Sequence, residues 1–162
     1  MSRDRARSMN MSSWKIEDLV PHKASMSLLD EVLDANDVSA RAAVRIAEDS
    51  LLFDASLGGV PASTGIEYMA QAIAMFAGAQ ARRRGSVPAV GFLLGTRRFV
   101  AHVPVFALGA LLEICVEQEL RDDQMAAFTC RILEGGDILV EARLSVFQPN
   151  DVEEFLKADG NE

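Results

Sequence analysis

The sequence predicts an α+β domain in which a mostly antiparallel sheet wraps around one long buried helix. Three observations predict it. Residues 64–84 are apolar nearly all the way round a helical wheel, as expected of a helix covered on every side. Strand-like segments flank that helix, two before it and four after it. The strands after it follow one another closely, with turn residues between them, which favours antiparallel pairing.

Taken in order, the elements support this reading. The first 13 residues are polar and basic and lack the apolar core of a secretory signal, so a disordered lead is expected there. One domain is expected over residues 14–149, followed by an acidic tail over 150–162. Residues 14–20 read as a short amphipathic helix with Ser13 as its N-cap, ended by Pro21. Residues 26–33 are apolar enough for a buried strand. Ala40, Ala42, Val44 and Ile46 then alternate with Ser39, Arg41, Ala43 and Arg45, the period of a half-buried strand. Residues 51–64 contain Gly58, Gly59 and Pro61 and read as a loop.

The helix predicted over residues 64–84 is rich in Ala, Met, Ile and Gln and contains no proline. Ser63 or Thr64 can cap its start. Arg82, Arg83 and Arg84 complement the negative end of its dipole, and Gly85 stops it. After Pro88, strands are predicted over 90–100, 111–120, 125–133 and 138–147. Gly135-Gly136-Asp137 makes a hairpin turn between the last two.

Composition narrows the function. The chain has 162 residues, 49% hydrophobic and 25% charged, as a single globular domain does. Its most apolar stretch, residues 66–81, carries Glu67, Gln71 and Gln80, which argues against membrane insertion. A net charge of −8 argues against nucleic acid as partner. Arg82 to Arg84 and Arg97-Arg98 remain candidates for docking an acidic protein, or plain solvated surface. Cys115 and Cys130 lie in strand-like segments as core residues, and no Cys/His cluster has metal spacing. A cytoplasmic location is expected.

Few residues carry chemistry. Glu67 and Gln71 lie four apart, on one face of a helix that otherwise seeks burial. A carboxylate in an apolar wall is costly unless paired or protonated, and such groups concentrate at functional sites. Equally, a glutamate at a helix start can be partly exposed and stabilised by the dipole without any further role. His22 follows Pro21 and is either a site residue or a backbone cap. His102 sits in a loop before a strand and reads as surface.

Four segments resemble the 3-hydroxyacyl-[acyl-carrier-protein] dehydratases. Leu19-Val20-Pro21-His22 with Met26-Ser27-Leu28-Leu29-Asp30-Glu31-Val32 resembles the family's opening motif. Gly65-Ile66-Glu67-Tyr68-Met69-Ala70-Gln71 resembles the central-helix motif, whose glutamate is catalytic. Arg98-Phe99 through Val103-Pro104-Val105 and Gly109 resembles the strand that follows, and Gly136-Asp137 to Leu144 the closing hairpin. The similarity spans residues 15–149. The stretches Gly91-Phe92-Leu93-Leu94-Gly95-Thr96-Arg97-Arg98 and Val146-Phe147-Gln148-Pro149 are most similar to the aryl-polyene-cluster subgroup.

The resemblance implies a hot-dog fold, no cofactor and no metal. It also implies an acyl carrier protein with a tethered acyl chain as substrate, and a homodimer or a hetero-oligomer with another hot-dog subunit. Glu67 then carries the chemistry, with His22 second. Gln71 would position substrate, and the N–H of Gly65 or Ile66 would receive the thioester oxygen. One departure stands out. The family's catalytic histidine precedes the central helix, and here that loop reads Leu52-Phe53-Asp54-Ala55-Ser56-Leu57-Gly58-Gly59. Asp54 cannot match the proton affinity of imidazole. The alternatives are a base from elsewhere, a silent companion subunit, or a thioesterase in which Glu67 activates water.

Overall fold

The computed structural model describes residues 15–16, 28–86 and 91–147. Six strands form one antiparallel sheet: β1 (Glu31–Ala35), β2 (Ser39–Arg45), β6 (Leu111–Asp122), β7 (Met125–Glu134), β8 (Asp137–Phe147) and β4 (Phe92–Ala101), in that spatial order. A two-stranded ribbon, β3 (Gly59–Pro61) with β5 (Val105–Ala107), stands apart from it. One helix, α1 (Gly65–Arg83), packs on the sheet, mainly over β6 and β2 and less over β7 and β8. This is the expected α+β hot-dog architecture.

The alternation of the sequence sets the two faces of the sheet. Ala40, Ala42 and Val44 of β2, Leu112, Ile114 and Val116 of β6, Phe128, Cys130 and Ile132 of β7, and Val140, Ala142, Leu144 and Val146 of β8 are buried toward the helix. The register keeps them in rows: Ala42 faces Ile114, Ile114 faces Ile132, and Ile132 faces Val140. From the helix, Phe76 meets Phe128 edge to face at 5.5 Å, and Tyr68 lies 6.0 Å from Phe106.

The turns follow their residues. Gly135 and Gly136 both have positive φ, 56° and 88°, which a two-residue hairpin matched to strand twist requires. At the end of α1, Gly85 turns left-handed at φ 66°. Its N–H donates to the Arg82 carbonyl and that of Ser86 to the Ala81 carbonyl, a Schellman closure. Arg83 then ties the helix end to the β1–β2 turn, donating to the Ala35 carbonyl and pairing with Asp37 at 3.1 Å. Gln80 adds a bond to the Asn36 carbonyl at 2.8 Å.

Several sequence readings need correction. The strand expected over 26–33 is β1, displaced to Glu31–Ala35, because the Leu28 N–H is drawn to a helix side chain instead of a strand partner. The loop expected over 51–64 contains β3 and a 3-10 turn, Ala62–Thr64, that runs straight into α1. For that reason Thr64 is already helical at the N-cap and makes no side-chain cap bond. Strand β5 was not foreseen; it is only three residues long. The helix predicted over residues 14–20 lies outside the described residues except for Lys15 and Ile16, the latter in the core.

Candidate active site at the start of the central helix

Two glycines bring the helix start to its place. A Cβ on Gly59 would fall 2.0 Å from the Phe106 carbonyl oxygen, so only glycine lets β3 lie against β5. A Cβ on Gly65 would stand 2.9 Å from Ile132 Cδ1 and 3.5 Å from the Phe106 ring, so glycine also lets the first turn close onto the core. The Ala62 N–H donates to the Pro104 carbonyl at 3.0 Å and fixes the turn from the other side.

On this platform Glu67 occupies the third helical position, the one acidic residue of the first turn, where it complements the helix dipole. The expectation of burial on every side fails here. Glu67 is exposed, and so is Arg82 near the other end, while the helix is otherwise buried or half-buried. Ile66, Ala70, Ala74 and Ala77 are half-buried. Their spacing of three and four residues makes them a stripe along one side of α1, and Glu67 stands at its head. The apolar wall expected around this carboxylate is therefore not supplied by the described residues of this chain. No described residue bonds to the Glu67 carboxylate.

Gln71, the second residue expected at the site, is 5% exposed and turns inward, where its Oε1 accepts the Leu28 N–H at 2.7 Å. The Gly65 N–H is engaged within the 3-10 turn, donating to the Ala62 and Ser63 carbonyls. His22 lies outside the described residues. His102 sits 3.3 Å from Glu141, whose neighbour Val140 is buried against the helix. Since successive strand residues face opposite ways, His102 stands on the sheet face away from α1 and Glu67. Asp54 accepts the Ser56 N–H at 2.9 Å and its hydroxyl at 2.5 Å. The hydroxyl and amide of Ser56 hold its carboxyl below the usual range, so it is a loop-ordering group and an even poorer base.

Sequence reading gave no role to Tyr68, which stood only as a letter of the helix motif. It is buried, and burial together with the charge of Asp30 pushes its phenol up to about 12. With Leu28, Asp30, Val44, Arg45 and Leu51 it lines a cleft of about 540 Å³ on the flank of the helix, which Glu67 does not line. Asp30 is held there by the Arg45 N–H at 2.7 Å. The signal was available: a lone hydroxyl on an otherwise aliphatic buried helix face has to find a polar boundary.

Among the described residues no group of three or more His, Cys, Asp or Glu side chains could hold a metal ion. None of their helices is long and apolar enough to cross a membrane.

The family described as ApeP-like, "ApeP dehydratase", matches residues 14–157. The chain belongs to the ApeP-like dehydratase family. A chain of the dehydratase heterocomplex ApeI:P from Xenorhabdus doucetiae is 31% identical and superimposes with a TM-score of 0.81, over 91% of this chain and 97% of that one. The expectation of a hot-dog dehydratase of the aryl-polyene type is borne out by these two matches. The TT0310 protein from Thermus thermophilus (17% identical, TM-score 0.57) shares 74% of this chain and 91% of its own. A hypothetical thioesterase with coenzyme A from Streptococcus pneumoniae (14%, TM-score 0.58) shares 74% and 84%. At such identities these two show the fold alone. A comparison with curated protein sequences gives no match.

Proposed function

We propose that this family member eliminates water from 3-hydroxyacyl chains carried on an acyl carrier protein in the cytoplasm, with Glu67 as the proton-transferring group. One observation carries the reading. Glu67 is the exposed ionisable residue at the start of a helix otherwise committed to the core, at the head of a half-buried apolar stripe. An acyl chain lying along that stripe would meet the carboxylate at one end, near the positive pole of the helix dipole. Dehydration needs a base for the proton alpha to the thioester and an acid for the leaving hydroxyl. Glu67 serves as the acid, and the Ile66 N–H is the candidate donor to the thioester oxygen. Gln71 acts indirectly, by holding the backbone at Leu28.

The base is proposed to come from outside the loop of residues 52–59, which contains no histidine. His22 is the candidate within this chain. The open flank of α1 supports a second source, another hot-dog subunit seated against it, and the related ApeI:P assembly is itself a heterocomplex. That same observation favours a second reading, in which this chain completes the site of an active partner and turns over little alone.

The deciding experiment is mass spectrometry of a 3-hydroxyacyl carrier protein incubated with this protein alone. Loss of one water that disappears in Glu67→Gln supports catalysis by this chain. No loss until a partner hot-dog subunit is added supports the companion reading. No loss in either case overturns both.

A further inference from the structure

The reaction proposed at Glu67 gives no task to the cleft beside Tyr68. Residues two apart on a helix do not share a face, so Tyr68 points away from Ile66 and Ala70. The cleft therefore lies on the other side of α1 from the stripe that Glu67 heads. Its walls are braced by bonds within the chain. Asp30 accepts the Arg45 N–H at 2.7 Å, and its own N–H donates to the Ala43 carbonyl at 2.9 Å. The turn that carries Asp49 and Ser50 is closed twice. The Ser50 N–H donates to the Ala47 carbonyl at 3.0 Å, and the Ala47 N–H donates to Ser50 Oγ at 2.8 Å. Leu28, Val44 and Leu51 supply apolar wall.

The phenol on this cleft lacks a partner. Tyr68 is 1% exposed, yet its hydroxyl makes no hydrogen bond to any described residue. Among the described residues every fully buried side-chain oxygen has a partner, so this hydroxyl is the part of Tyr68 that meets the cleft. A buried phenol normally finds a partner. Asp30 lines the same cleft, near enough for its charge to act on the phenol, but no hydrogen bond joins the two. The second carboxylate oxygen of Asp30 has no described partner either.

These two groups select the chemistry of what can lie between them. The phenol, pushed up to about 12, keeps its proton at neutral pH and donates. The carboxylate accepts. A group that satisfies both has to accept one hydrogen bond and donate another, which a hydroxyl does. An ammonium cannot accept, and a carboxylate cannot donate. A carboxylate would also face Asp30 and Asp49, offset only by Arg45. Ser50 Oγ, already an acceptor, keeps its own proton to donate. Water has the same capacity as a hydroxyl, but the aliphatic walls favour an apolar body in its place.

We infer that this cleft is a second ligand site, separate from Glu67, for an uncharged molecule that carries a hydroxyl on an apolar body. Tyr68 donates to that hydroxyl and Asp30 accepts from it. Occupancy does not depend on the reaction proposed at Glu67.

The test uses the full chain with an isotope-labelled tyrosine ring at neutral pH. Tyr68 is the only tyrosine, so one set of ring signals reports this cleft. Benzyl alcohol, benzylammonium and benzoate share one shape and differ in charge. Benzyl alcohol should shift the signals saturably at roughly millimolar concentration, as befits so small a ligand. Each charged probe leaves one hydrogen bond unmade and should bind about tenfold more weakly or worse. Followed through the ligand's own signals, Tyr68→Phe should weaken the alcohol about tenfold. Glu67→Gln should leave its binding unchanged. Tyrosine signals that stay put, or that move without saturating, mean that the cleft holds water alone and overturn the proposal. So does equal binding of either charged probe, or undiminished binding by Tyr68→Phe. Loss of binding in Glu67→Gln would put the alcohol on the other side of the helix and overturn it too. No turnover is measured, so this test can fail while the dehydration assay succeeds, and the reverse.

Discussion

The side-chain carbonyl of Gln71, in the middle of the central helix, accepts the backbone N–H of Leu28 at 2.7 Å, across 43 residues of sequence. The bond is part-buried, so losing the acceptor strands a donor out of water. Gln71→Leu is expected to cost about 1–3 kcal/mol, the penalty for an unsatisfied buried group. A shift in the urea midpoint at unchanged slope measures it. An unchanged midpoint would mean that water replaces the carbonyl and that the tie contributes little.

For Glu67 the opposite division is expected. Its carboxylate is exposed and makes no bond to a described residue, so Glu67→Gln should change stability by less than about 0.5 kcal/mol. Turnover, by contrast, should fall by about 100-fold or more, the usual worth of a positioned proton donor. Melting and rate measured on one preparation decide it. A variant that loses stability and rate together assigns Glu67 a structural part.

Tyr68 is the chain's only tyrosine, so its phenolate absorbance reports one site. Burial moves its midpoint from 10.0 to about 12. A phenol whose folded value is raised contributes stability in full below pH 10, and that contribution is lost as pH rises through about 12. The native titration should therefore lag the denatured one, with stability falling across that interval. Coincident curves would mean that the hydroxyl reaches water.

Two glycine substitutions should separate backbone from side-chain crowding. Gly59→Ala places its methyl 2.0 Å from a carbonyl oxygen of a paired strand and should destabilise by about 3 kcal/mol or more. Gly65→Ala meets the tip of a flexible side chain, Ile132, at 2.9 Å, with the Phe106 ring at ordinary contact distance, and gains about 0.5–1 kcal/mol of helix preference, so it should cost much less. Thermal melts of the two variants rank them, and the reverse order would contradict the close approach of β3 to β5.

The thiols should be quiet. Burial, assisted by the charge of Glu113, pushes Cys115 up to about 11, and burial pushes Cys130 up to about 12. At neutral pH both should label slowly with a thiol reagent, Cys130 only on unfolding, because the thiolate is the reactive form. Rapid native labelling of Cys130 would indicate local opening of β7.

Most of the sheet was legible because alternation carries it: each strand from residue 111 onward was expected within about two residues of its observed ends. The helix was legible for the same reason, its period running from Gly65 to Arg83 against an expected 64–84. The ribbon of β3 and β5 was not, since three residues hold no period. Exposure of Glu67 is one of the two readings the sequence leaves open, and the sequence does not choose between them. A helical wheel records that Ile66, Ala70, Ala74 and Ala77 are apolar, not whether this chain or another covers them. The inward turn of Gln71 depends on Leu28, a contact far away in sequence.

The placement of β2 beside β6 governs how the chain assembles itself. Arg41 and Glu113, joined across those strands at 2.6 Å, are 72 residues apart. A ribosome therefore finishes α1 long before β6 exists to receive it, and for that interval the helix has only the β1–β2 hairpin to lean on. Closing so long a loop comes late and slowly in folding. Until then an apolar helix is displayed to the crowded cell, a window in which chaperones or a waiting subunit compete with aggregation.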